Sequence, residues 1–124
     1  MKYHLIERHN PRNLEDPKKF YANKVTRSTV SMRELAKDIS DISTVSIVDV
    51  TAVIESMLQL LPKYLTAGDI VQLREFGSFN LKISSSGADT EEDFDKSFIR
   101  GVKLAFHPGK ELSNALKTVD FEKE

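Results

Sequence analysis

The chain has 124 residues, with 18 Lys and Arg against 19 Asp and Glu and a formal net charge of -1. That length suits one domain with room for an appended segment, and the charge lacks the positive excess that usually marks a phosphate-binding protein. Cysteine is absent, which excludes disulfides and thiolate chemistry. The longest apolar run, Val50 to Leu65, is broken by Glu55, Gln59 and Lys63 and is too short to span a bilayer. With no leader-like pattern of a basic start, an apolar run and a small-residue site, the expected location is cytoplasmic, with no membrane contact.

Residues 1–28 read as a β extension. Tyr3 to Glu7 and Lys19 to Val25 are candidate strands, separated by the turn-rich run Asn10 to Asp16 and the prolines Pro11 and Pro17, which cannot donate to a ladder. The remainder, residues 29–124, opens with Ser31-Met-Arg-Glu34. This is a capping box, in which the Ser31 hydroxyl accepts from the third helical N–H and Glu34 reaches back. Met32, Leu35, Ala36 and Ile39 follow at helical spacing and predict a short helix ending near Ser40.

A second start at Ser46-Ile-Val-Asp49 opens the longest helix. Val53, Ile54, Met57, Leu58 and Leu61 give it an apolar surface much wider than one stripe. A helix apolar on nearly all sides must be covered on nearly all sides. Dimerisation through this helix is the expected solution, and a monomer covered by the N-terminal extension is the alternative. Pro62 is expected to kink or restart the last turn.

From Ile70 the period changes to two. Val71, Leu73, Phe79, Leu81 and Ile83 alternate with Gln72, Arg74, Asn80 and Lys82 around Gly77, which predicts a hairpin. Val102 to Phe106 is a third strand, and Phe76, Phe79 and Phe106 join the helix residues in the expected dimer core. Pro108-Gly109-Lys110 begins a last helix whose Leu112, Ala115, Leu116 and Val119 form a stripe. Between the second and third strands, Ser84 to Lys96 is polar and should project as an arm, about residues 82–102.

Phe76-Gly-Ser-Phe79, a projecting hairpin, and Ala105-Phe-His-Pro-Gly-Lys110 before a final helix resemble the HU and integration host factor family of bacterial histone-like proteins, over roughly Ser28 to Lys117. The extension is similar to that of divergent HU-like proteins with strands before the HU core. The resemblance implies an α+β fold: two helices, a three-stranded antiparallel sheet with a β-arm and a C-terminal helix, intertwined as a dimer. It implies a nucleoid-associated protein that binds double-stranded DNA without strong sequence preference and needs no cofactor.

Lys82, Arg100, Lys103, Gly109 and Lys110 are the positions this resemblance brings to DNA, and Lys18, Lys19, Lys24 and Arg27 are candidates for an additional basic surface. The arm departs from the family. Between Asn80 and Leu104, four bases, Lys82, Lys96, Arg100 and Lys103, face five acids, Asp89, Glu91, Glu92, Asp93 and Asp95. The Arg-Asn-Pro wedge of the family is missing. Acids at the tip repel phosphate, so binding through the body with weak bending is one expectation. The other is a protein-interaction module whose acidic arm meets a basic protein surface. Phe94 is expected to pack on its own arm or on a partner subunit rather than to enter DNA.

Catalysis finds little support. His4, His9 and His107 lack metal-ligand spacing, and the acids from Asp89 to Asp95 lack the alternation of a calcium loop. Neither an enzyme nor a metal site is expected.

Overall fold

The computed structural model describes residues 1–124 as three helices and two small sheets. Helix α1, Met32–Asp41, begins at the predicted capping box: the Glu34 N–H donates to the Ser31 hydroxyl at 3.2 Å and the Ser31 N–H to the Glu34 carboxylate at 3.1 Å. Near its end the Lys37 ammonium donates to Asp41 at 3.0 Å, and this hydrogen bond, with the attraction of the same carboxylate, raises the Lys37 pKa.

Helix α2, Ile47–Thr66, starts where Ser46 accepts from the Asp49 N–H at 3.2 Å. It runs through Pro62 without restarting, contrary to the expected break. Proline removes only the bond to the carbonyl four residues back, while burial of Leu65 holds the final turn against the body.

Strands β1, Lys2–Arg8, and β2, Lys19–Lys24, pair antiparallel as the extension predicted. Strands β3, Val71–Leu73, β4, Gly77–Ser85, and β5, Ile99–Pro108, form the antiparallel sheet of the body in that order. Helix α3, Lys110–Leu116, is shorter than its stripe suggested and ends before Val119. The last strand, β6, Glu122–Lys123, was not foreseen: it lies parallel to β1, so the N-terminal sheet has the order β2-β1-β6.

The tight β3–β4 turn explains Gly77. Any side chain there would lie 2.6 Å from the Phe106 ring and 2.7 Å from the His107 carbonyl, too close for a real Cβ.

Only Ala36, Val50, Leu65 and Gly77 are buried in the single chain. The chain exposes 10762 Å², whereas a compact monomer of its mass exposes about 6,700 Å². The helix α2 packs on α1, β3 and β4, while β1 and β2 pack on each other and on β6. The extension therefore does not supply the cover that α2 lacks, and Val53 stays 66% exposed.

Candidate nucleic-acid interface

Strand β3 reaches only from Gly77 to Phe79 along β4, whereas β4 and β5 continue together to Ser85 opposite Ile99. Beyond Phe79 the pair is thus a two-stranded ribbon. Paired residues share a face. One face carries Phe79 opposite Phe106, Leu81 opposite Leu104 and Ile83 opposite Val102. At its base the Phe79 and Phe106 ring centroids are 4.9 Å apart and those of Phe76 and Phe106 are 5.8 Å apart.

The other face sets Lys82 directly opposite Lys103. Both are exposed, and the two ion pairs of the chain, Lys37–Asp41 and Arg74–Glu111, leave both ammonium groups without a carboxylate. Like charges directly opposite each other destabilise a sheet, so this juxtaposition works against folding and suits an anionic ligand. Arg100 stands farther out, past a register irregularity between Ser84 and Ser85, and its guanidinium donates to the Ser85 carbonyl at 3.3 Å.

Lys110 is the first, exposed residue of α3. Gly109 is held differently: its N–H donates to the Phe76 carbonyl at 2.8 Å, and the Glu111 N–H donates to the Glu75 carbonyl at 3.0 Å. A Cβ on Gly109 would collide with the Glu75 carbonyl. Its place is explained by close packing of α3 on the β3–β4 turn.

The arm tip is locally built. The Asp93 N–H donates to the Thr90 hydroxyl at 3.2 Å, and Asp95 caps a single 3-10 turn, Lys96–Phe98, by accepting from the Ser97 N–H at 3.1 Å. Phe94 stacks on Phe98 with ring centroids 5.5 Å apart. The side chain that stands nearest to a wedge is thus engaged within its own arm. The five acids of the tip are exposed and form no ion pair.

The four candidate bases of the extension separate. Lys19 lies opposite Arg8, and by alternation along β1 it shares a face with Lys2 and His4. Lys24 lies opposite Tyr3 on the reverse face, Lys18 just precedes β2, and Arg27 follows it beside Lys2. Arg8 is the base that inspection of the sequence missed, because only the β1–β2 register brings it beside Lys19. Elsewhere no group of three or more His, Asp or Glu side chains gathers as metal ligands, and no helix is long and apolar enough to cross a membrane.

A crystal structure described as a "putative bacterial DNA binding protein" from Bacteroides vulgatus ATCC 8482 is similar in fold, with a TM-score of 0.63 at 16% sequence identity. The likeness covers 98% of this chain and 47% of that one, so this chain spans about half the length of its structural relative. No curated protein matches it. Residues 1–123, the extension included, match the family described as an HU domain fused to wHTH, Ig, or glycine-rich motif. The chain belongs to this HU-domain family, HU-HIG.

Proposed function

We propose that the protein is a histone-like, nucleoid-associated DNA-binding protein that acts as a dimer, tolerates many sequences and bends DNA less than an ordinary HU protein. The observation that carries this reading is the unneutralised Lys82–Lys103 pair on the polar face of a ribbon in an HU-family chain. Lys and Arg bind the phosphate backbone with release of counterions, and such contacts carry no sequence information. Arg100 and Lys110 are the further contacts.

Dimerisation is supported by surface area. The excess over a compact monomer is about 4,000 Å², which falls in the range of an obligate interface. Its centre is the groove of about 540 Å³ where Val53, Met57, Leu60 and Tyr64 of α2 meet Val71 and Leu73 of β3. Weak bending is supported by the arm: Phe94 is stacked on Phe98 and acids surround it, whereas bending requires an apolar wedge between base steps.

Fluorescence anisotropy with a labelled 20-base-pair duplex at several salt concentrations tests the proposal. Binding should weaken linearly in log–log form, with a slope near -0.9 for each phosphate neutralised. No binding at low salt would sink it. The exposed acids Asp89 to Asp95, unpaired in the chain, favour a second reading, a protein-interaction arm. Neutralising them would then abolish capture of a basic partner and leave DNA binding intact.

A further inference from the structure

The N-terminal sheet has two chemically distinct faces. On one, Tyr3, Leu5 and Ala22 join Met1 and Phe121 in an apolar concavity. On the other, Arg8 lies directly opposite Lys19, with Tyr21 paired to Ile6 one position inward and Lys2 toward the far end. Neither Arg8 nor Lys19 forms an ion pair. Glu7, the one acid of β1, belongs to the apolar face by alternation.

Arg8, Asn10, Asp16, Lys19 and Tyr21 border one concavity at the loop end of this face. Asp16 contributes negative charge there, but its carboxylate oxygens already accept from the Asn10 amide and the Asn13 amide, each at 3.1 Å. The two cations retain free donors. Their direct opposition costs folding free energy, as at Lys82 and Lys103, and an anion lying across both relieves the repulsion.

We propose that this basic face of the N-terminal sheet is a second phosphate-binding surface, centred on Arg8 and Lys19, that takes the backbone of duplex DNA. The inference rests on the DNA-binding reading and extends it to a part of the chain outside the HU-like body. A polyanion is favoured over a free phosphate because the cations form a stripe. From Lys2 to Arg8 the strand runs about 20 Å, along which one DNA strand presents about six phosphates.

The test compares the full chain with its Arg8→Gln/Lys19→Gln variant in anisotropy titrations of duplex DNA across salt. The variant should bind with a slope shallower by about 1.8, or about 0.9 for each lost phosphate contact. Lys24→Gln, on the reverse face, should leave the slope unchanged. Both substitutions lie at exposed positions, and circular dichroism checks that each variant is folded. Titrations followed by amide NMR, with the duplex and with inorganic phosphate, locate the contact directly.

Shifts at Arg8 and Lys19 with the duplex, together with the shallower slope, support the proposal. Shifts with inorganic phosphate alone and an unchanged slope overturn it in favour of a small anionic ligand. An unchanged slope in a wild-type protein that binds DNA overturns it while leaving the proposed function standing. Loss of salt-sensitive self-association in the variant, with unchanged DNA binding, assigns the face instead to an acidic surface of another copy. A wild-type chain that shows neither DNA binding nor shifts at these residues overturns both readings.

Discussion

Replacing Lys82 with Gln separates a binding role from a structural one because the two predict opposite signs. In the folded chain Lys82 sits directly across from Lys103 with no carboxylate partner for either. A like-charge cross-strand pair costs about 0.2–1 kcal/mol, so Lys82→Gln should stabilise the free protein by that order. For a domain of this size the melting temperature should rise by about 1–5 °C, measured by calorimetry at low salt where screening is weakest.

The same change removes one phosphate contact. The salt slope of duplex binding should become shallower by about 0.9. Between 50 and 200 mM salt, wild-type affinity should consequently fall about 3.5-fold more than that of the variant. A structural lysine would show the reverse: lost stability, with the slope intact. Lower melting temperature and an unchanged slope together would refute the assignment of this face to DNA.

Three further outcomes follow from the packing. Gly77→Ala should lose at least about 1–3 kcal/mol in urea titrations, because the added Cβ meets the Phe106 ring and the His107 carbonyl; a neutral result would mean that the turn yields freely. Ser31→Ala should cost about 1 kcal/mol, since it removes the acceptor of the Glu34 N–H, and Ser31→Thr should restore most of it. Met57→Glu places a carboxylate in the apolar groove of α2. It should abolish the concentration dependence of melting expected of a dimer, which sedimentation equilibrium would show as loss of the dimer; a variant dimer as tight as the wild type would move the interface elsewhere.

Local signals were legible in the sequence and long-range pairings were not. Ser31 and Glu34 announce the start of α1 because both hydrogen bonds of the capping box close within three residues. Alternation from Val71 to Ile83 gives the two faces of the β3–β4 hairpin, because the tight turn at Gly77 leaves little freedom of register. Arg8 and Lys19 are different. The loop between them is long, so which β1 residue faces which β2 residue depends on a pairing that no single segment encodes. Strand β6 is harder still: two residues carry no periodicity, and their partner lies at the opposite end of the sequence. The role of Gly109 was misjudged for a related reason. Its contact with Glu75 spans more than thirty positions, so a sequence match suggested a ligand where packing supplies the reason.

The acidic tip and the basic ribbon belong to one hairpin, and ionic strength decides how strongly they oppose each other. From Lys82 to Ser85 the ribbon runs about 10 Å, and the acids lie in the loop beyond it. At 0.15 M salt the screening length is about 8 Å, and at 0.01 M it is about 30 Å. Repulsion between the tip and phosphates held at Lys82 and Lys103 is therefore screened in the first condition and felt in the second. Wild-type binding should rise less steeply at the low-salt end than the counterion law demands. Changing Asp89, Asp93 and Asp95 to Asn and Glu91 and Glu92 to Gln should straighten the log–log plot, with a gain in affinity at 0.01 M that fades by 0.15 M. Asparagine at position 95 keeps a side-chain oxygen able to accept from the Ser97 N–H, so the tip retains its fold. An equal gain at both salts would place the acids in direct contact with the duplex, and no gain at either would show that the arm points away from bound DNA.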